Sequence, residues 1–258
     1  MSLSIIIITK NEEANLQACL ESVRFADQWV VVDNASTDNT RLIAGAFGAE
    51  VTQTQAWPGF GPQKNLALSL ATQDWVLALD ADERVTPELA AEIQQAMQDP
   101  AANAVEIPRL TQFCGQWIYH CGWTPDPVLR LFRRGQAEFS NDLVHERVIL
   151  KAAALSPPLL RLQSRLLHYS YPTPAHYWRK LEQYSLAWAE QSHARGKSSS
   201  MPRAVISGLI AFVKSYIFRL GILDGSMGFA VCTMQAQAAF GKYFTLYCLN
   251  QQNASKKS

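Results

Sequence analysis

Trp75-Val76-Leu77-Ala78-Leu79-Asp80-Ala81-Asp82-Glu83 decides the fold. Five apolar residues without a helical period read as a strand buried on both faces, and the run breaks abruptly into acids. A strand of that kind belongs in a parallel sheet covered by helices on both sides, where ligands bind beyond the carboxyl ends. Aspartates are common where any strand turns into a loop, so Asp-x-Asp alone assigns no role. Its place directly after this strand makes it the first site to consider.

Working outward, Ser4–Thr9 reads as a first buried strand, Trp29–Asp33 as a second and Glu50–Thr54 as a third. Asn11 is expected to cap a helix with Glu12 and Glu13 in its first turn, where the helix dipole favours acids. Ser36 or Asp38 opens the next helix. After the loop Trp57-Pro58-Gly59-Phe60-Gly61, another helix runs from Pro62 to about Ala71. Thr86 as N-cap with Pro87 behind it opens a helix ending near Gln98. This alternation predicts an α/β fold with a mainly parallel sheet and helices on both faces.

Further on, Ala104–Phe113, Val128–Arg133 and Leu159–Tyr169 read as strands, with Arg133-Arg134-Gly135-Gln136 as a turn. From Thr173, a cap followed by Pro174, the chain becomes helical. Tyr177, Leu181, Tyr184 and Trp188 form one stripe, and Pro202–Phe218 makes a second helix. The expected division is a nucleotide-binding domain over residues 1–170 and a helical extension over 171–258.

The 258 residues are 48% apolar, enough for a sizeable core. A net charge of +1 conceals a split: residues 1–150 carry 10 Lys and Arg against 19 Asp and Glu, and residues 151–258 carry 13 against 3. The acidic half suits a metal. The basic half either faces an anionic surface or is a solvated helical face. Cys19, Cys114, Cys121, Cys232 and Cys248 are odd in number and lack a C-x-x-C, so a reduced, cytoplasmic setting is expected. The N-terminus lacks the basic flank of a signal peptide. No run of 18 uncharged apolar residues occurs, so no spanning helix is expected.

The strand ends gather polar groups on one edge: Thr9-Lys10-Asn11-Glu12, Asp33-Asn34-Ala35-Ser36 and Asp80-Ala81-Asp82-Glu83. Neither G-x-G-x-x-G nor a P-loop is present. A diphosphate here needs another source of positive charge, and a divalent cation held by carboxylate oxygen supplies it. Asp33 reads equally as an N-cap or turn residue.

Four pieces in order and spacing resemble the family 2 inverting glycosyltransferases of the GT-A, Rossmann-like fold. They are Ile7-Ile8-Thr9-Lys10-Asn11-Glu12-Glu13; Val30-Val31-Val32-Asp33-Asn34-Ala35-Ser36-Thr37-Asp38; Gly61-Pro62-Gln63-Lys64-Asn65; and Leu77-Ala78-Leu79-Asp80-Ala81-Asp82-Glu83. The resemblance covers about residues 1–150. It implies that Thr9, Asn11, Glu12 and Asp33 surround the base and ribose of a nucleotide, with Lys64 beside the base. It further implies that Asp80 contacts the ribose, that Asp82 holds magnesium or manganese, and that a UDP-sugar is the donor.

Val144-His145-Glu146 is similar to the segment that supplies a catalytic base in bacterial relatives, with Glu146 as the base. Glu146 also reads as a surface carboxylate paired with Arg147. His145 reads as base, structural hydrogen-bonder, metal neighbour or acceptor contact. Of Arg130, Arg133 and Arg134, Arg130 is the candidate to reach a phosphate. His168 resembles a late histidine that some GT-A enzymes lend to the metal; a buried histidine satisfied by backbone is the other reading. The Glu-Asp pair and Gln-x-x-Arg-Trp of processive relatives are absent, which favours transfer of one sugar.

In the basic half, Val205, Ile206, Leu209, Ile210, Phe212, Val213 and Ile217 share a helix face, with Arg203, Ser207 and Lys214 on the opposite side. Such a helix packs on the globular domain or lies in a membrane interface. Anionic lipid attracts this half by roughly 1 kcal/mol per basic residue near the surface. Gly221-Ile222-Leu223-Asp224-Gly225-Ser226-Met227-Gly228 resembles the glycine-punctuated segment of bacterial lipopolysaccharide inner-core β-1,4-glucosyltransferases. That likeness implies glucose transfer from UDP-glucose to an inner-core heptose on a lipid-linked acceptor. It implies an enzyme peripheral on the inner face of the cytoplasmic membrane, without a nucleic-acid partner. A sugar nucleotidyltransferase needs a glycine- and arginine-rich loop after the first strand, where this chain has Asn11-Glu12-Glu13. A non-catalytic carbohydrate-binding protein on a degenerate scaffold has no use for Asp82 and Glu146.

Overall fold

The first strand, β1 (Leu3–Thr9), is buried along almost its whole length because apolar groups leave it on both faces. Leu3, Ile5 and Ile7 join one core, and Ile6 joins another across the sheet. The computed structural model describes residues 1–140, 146–151 and 159–255. β1 lies parallel to β2 (Gln28–Asn34) on one side and to β4 (Trp75–Asp80) on the other. β3 (Glu50–Thr54) extends the parallel half beyond β2.

α1 (Leu16–Ser22), α2 (Thr40–Phe47) and α4 (Pro87–Gln98) supply side chains to the first core; α3 (Phe60–Leu70) supplies the second. Burying each Leu or Ile contributes about 1.5–3 kcal/mol, so the two-sided strands carry the fold. Beyond β4 the sheet becomes mixed. Its order is β3-β2-β1-β4-β8-β6-β12-β5, with β5 (Glu83–Arg84), β6 (Ala104–Phe113), β8 (Asp126–Arg133) and β12 (Leu166–Tyr171). β7 (Gln116–Ile118) and β11 (Leu160–Arg161) pair with β6 off that path, and β9 (Ala137–Phe139) pairs with β10 (Val148–Leu150) separately.

Thr86 caps α4, accepting from the Leu89 amide at 3.2 Å, with Pro87 behind it. Other expected helix starts move. Asn11 caps nothing: α1 begins at Leu16, and Asn11 adopts a left-handed φ of 56°. Its amide donates to Ser36 Oγ (2.8 Å) and its side-chain oxygen accepts from the Thr37 amide (2.9 Å), so tertiary partners take the groups a cap would use. α3 starts at Phe60 rather than Pro62, because Gly59 turns the chain at φ 110°. Thr173 precedes α5 (Pro174–Ala194), yet its hydroxyl bonds His176 Nδ1 (2.8 Å) instead of capping.

The chain forms two compact units, one of residues 1–109 and 126–168, the other of 110–125 and 169–258. Residues 110–125, grouped with the first domain by the sequence, thus belong to the second unit. The reason is packing: Phe113, Ile118 and Cys121 share a core with Tyr177, Val231, Cys232 and Met234. The second unit also holds α6 (Met201–Val213) and α7 (Gly225–Ser255). A π-helical turn over Lys214–Phe218 and a 3-10 turn over Gly221–Asp224 link them.

Two expectations change in α6. Val205, Ile206, Leu209, Ile210, Val213 and Ile217 face solvent, while small Ala204, Gly208 and Ser215 are buried. Close packing against α7 needs the small residues, so the side opposite the aliphatic face is occupied and Arg203 and Lys214 stand at its edges. Moreover, Met201–Phe218 is one helical stretch long and apolar enough, by length and composition, to cross a membrane. Arg203 and Lys214 interrupt an uncharged run but not the helix.

Candidate active site

The parallel strands deliver their carboxyl ends to one edge. At the end of β1, Thr9 Oγ1 donates to Asp33 Oδ1 (3.1 Å) at the end of β2. Asp33 is fully buried; it also accepts the Ser36 amide (2.9 Å) and the Ser36 hydroxyl. Ala35, at φ 49°, makes the bend that lets Asp33 receive both. The Glu12 amide donates to Thr40 Oγ1 (2.8 Å), and Glu12 Oε2 accepts from Asn15 Nδ2 (2.9 Å). Burial raises the Glu12 pKa, and the Asp82, Asp38 and Asp80 carboxylates add to the rise against the Asn15 bond.

A second group forms around β4. Lys64, buried on α3, places Nζ 3.0 Å from Asp80 Oδ1 and donates to Glu146 Oε1 at 2.7 Å. From β8, Arg130 Nη2 donates to Asp80 Oδ2 (2.6 Å) and to Glu83 Oε1 (2.8 Å). Burial alone would raise the Asp80 pKa, but Arg130 and Lys64 outweigh it and hold the carboxyl well below the usual range. Both Asp80 oxygens are therefore engaged by protein cations. The structure brings Lys64, Asp80, Arg130 and Glu146 together. It turns Arg130 toward carboxylates, Arg133 toward the Ala102 carbonyl (2.9 Å) and Arg134 toward the Gln73 carbonyl (2.9 Å).

Asp82 and His168 meet separately: His168 Nε2 lies 3.4 Å from Asp82 Oδ2. β12 makes this possible by pairing antiparallel with β5, which sets His168 opposite Glu83. The Asp82 carboxylate is a donor suited to magnesium or manganese, and the His168 imidazole one suited to softer first-row metals. Among the described residues no cluster of three His, Cys, Asp or Glu side chains is arranged to hold a metal. Asp82 and His168 therefore offer two donors, and a cation held by them would need further oxygen ligands from outside this pair. Val144 and His145, and with them the alternative base, lie outside the described residues.

Two residues at the site went unassigned in the sequence. Glu83, fully buried, accepts the Asp80 amide through Oε2 (2.9 Å) while Oε1 meets Arg130. Arg109 Nη1 approaches Glu83 Oε1 at 3.5 Å, and its Nε and Nη2 bind Asp126 Oδ2 at 3.0 and 2.5 Å. Glu83 was visible as the last acid of its motif. Arg109, in the middle of a strand, carries no local signal.

Residues 4–149 match the family model for glycosyl transferase family 2, more than half the chain. An uncharacterised glycosyltransferase of Rickettsia typhi is 31% identical over 246 residues, spanning 92% of this chain and 84% of that protein. A lipopolysaccharide core biosynthesis glycosyltransferase, LpsC of Rhizobium meliloti, is 29% identical over 251 residues, spanning 93% and 90%. Among solved structures, residues 1–349 of Staphylococcus aureus TarS superpose with a TM-score of 0.51 at 16% identity, covering 98% of this chain and 92% of that one. That likeness is one of fold.

Proposed function

We propose, from the premise that this chain belongs to glycosyl transferase family 2 and is a glycosyltransferase of GT-A fold, that it moves one hexose from a UDP-sugar to a lipid-linked saccharide. The observation that carries the donor reading is the split of the two aspartates. Asp80 is committed to Lys64 and Arg130, whereas Asp82 stands with His168 as an incomplete metal shell. Such a shell suits a cation arriving with a diphosphate. Asp82 and His168 would hold such a cation, which would supply positive charge against the departing diphosphate. Thr9, Asn11, Glu12 and Asp33 line the strand ends where the base and ribose would lie, and Asp80, paired with Lys64 and Arg130, would accept from the ribose through its remaining lone pairs.

Glu146 is the group to accept the proton of the acceptor hydroxyl, which is a poor nucleophile until deprotonated. Lys64 Nζ, at 2.7 Å, fixes the orientation of its Oε1. Attack from the face opposite the diphosphate is a single in-line displacement and inverts the anomeric centre. Glucose from UDP-glucose, with an inner-core heptose as acceptor, is the specific reading. The relative named for lipopolysaccharide core biosynthesis supports the acceptor class.

The test is a donor panel with purified protein, scoring UDP release with and without EDTA, followed by transfer to a core-glycan acceptor. Metal-dependent release from UDP-glucose is expected. Asp82→Ala is expected to abolish it, and full, metal-dependent activity in that variant overturns the metal assignment. Glu146→Gln is expected to lower turnover by about 100-fold or more; unchanged turnover moves the base elsewhere.

A further inference from the structure

We propose that the exposed aliphatic face of α6, with the turns that follow it, lies within one leaflet of an anionic bilayer, the helix axis in the membrane plane. The inference deepens the lipid-linked acceptor reading by naming the surface that meets lipid, and it holds whichever sugar is moved.

α6 is packed by its small side. A Cβ on Gly208 would stand 3.2 Å from the Ala236 carbonyl oxygen and 3.3 Å from Phe240 Cβ, so α7 approaches as near as glycine allows. The large side chains point the other way. Leu209 and Ile210 are 62% and 60% exposed, and Phe218, in the π-helical turn, is 76% exposed. Ile222 and Leu223, within the 3-10 turn, and Phe229, in the first turns of α7, are exposed as well, and Phe229 packs edge-on against Phe212 and Tyr216. A contiguous apolar patch of this kind marks an interaction site in a folded protein.

Packing sets the orientation. The helical stretch Met201–Phe218 has 18 residues. At 1.5 Å per residue it reaches about 27 Å, within the range of a spanning helix, so packing and not length decides the orientation. α7 covers one side, leaving a single face for acyl chains. Arg203 and Lys214, both exposed, fall at about 100° per residue on the border between the lipid-facing and α7-facing sides. In the membrane plane that border lies at headgroup level, and there the Arg203 guanidinium sits 5.1 Å over the Tyr243 ring of α7.

Charge selects the occupant. From Arg195 to Lys242 the chain has six basic residues and one acid, Asp224. Asp224 is already engaged: it accepts the His120 amide at 2.8 Å and lies 2.8 Å from His120 Nδ1. The surroundings of the face are therefore positive, as an anionic leaflet requires. A second copy, paired by a two-fold axis, would set the same basic rim against itself.

The full chain is to be sedimented with vesicles of phosphatidylcholine, with and without phosphatidylglycerol. Binding to phosphatidylglycerol vesicles that weakens on neutral vesicles and at high salt is expected. The double variant Ile206→Asp, Ile210→Asp is expected to lose about tenfold or more in bound fraction, with an unchanged melting temperature because both side chains are exposed. Arg203→Gln with Lys214→Gln is expected to remove much of the preference for phosphatidylglycerol. Undiminished binding by the Asp variant, or equal binding to both vesicles, overturns the proposal. So does a dimer by light scattering that the Asp variant converts to monomer, which assigns the face to a second copy. Sedimentation uses neither donor nor acceptor, so its failure leaves glycosyl transfer standing, and a failed donor panel leaves this surface standing.

Discussion

Glu83 is the residue on which the acidic edge depends. One oxygen holds the backbone at Asp80 and the other holds the guanidinium that pairs with Asp80. Removing a buried charge partner leaves the other charge uncompensated, so Glu83→Ala is expected to cost about 3–5 kcal/mol, read from urea unfolding midpoints. Asp80 gives a pH dependence with a definite sign. Its folded pKa lies below the unfolded value because Arg130 and Lys64 outweigh burial. Its contribution is thus present above the unfolded pKa of about 3.9 and is lost only as pH falls through the lower folded value. Lys64→Met removes one of the two cations, so Asp80 protonates in milder acid. Urea midpoints measured downward from neutral pH are expected to fall sooner in Lys64→Met than in the parent, and parallel curves would refute the assignment. At this scale the sequence was most informative where chemistry and strand end coincide, as at Asp80 and Asp82. It was silent on Arg109, whose partners Asp126 and Glu83 are 17 and 26 positions away and meet it only through the pairing of β6 with its neighbours.

Elements were legible in proportion to how local their causes are. β1, β3, β4 and α4 stand where run length, turn residues and the Thr86 cap put them. Thr86→Ala is expected to lower stability by about 1 kcal/mol, since the Leu89 amide loses its acceptor. α1 was misplaced because the conformation of Asn11 is imposed by Ser36 and Thr37, not by its neighbours in sequence. The direction of the aliphatic face of α6 was hidden for a related reason. A wheel shows that one side is apolar, but small residues packing against α7 decide which side is buried. Backbone packs closely at the joint before α7. A Cβ on Gly228 would overlap the Gly221 carbonyl, and one on Gly221 would meet Cys232 Sγ at 2.5 Å. Gly228→Ala is expected to lower stability by about 3 kcal/mol or more, because backbone cannot yield as a flexible side chain does. A calorimetric scan that superposes on the parent would contradict this.

For the whole molecule, the charge split between residues 1–150 and 151–258 has its counterpart in two compact units, but not at the same boundary. Composition registers an acidic half and a basic half; it does not register that residues 110–125 supply Phe113, Ile118 and Cys121 to the second core. A ligand that binds only the folded protein stabilises it by about 2.7 kcal/mol at one hundred times its dissociation constant. UDP with manganese is therefore expected to raise the melting temperature, and EDTA to remove the gain. UDP that stabilises equally in EDTA would argue that Asp82 and His168 do not share a cation.

The loops after β1 and β2 are stitched together: Asn11 with Ser36 and Thr37, Glu12 with Thr40, and the Glu13 amide with Asp38 (3.1 Å). Descent must treat these positions as one inheritance. A substitution at Asn11 that strands the Thr37 amide is expected to loosen both loops at once, so these positions are expected to co-vary among related chains. Grafting either loop alone into a relative transfers half a clasp.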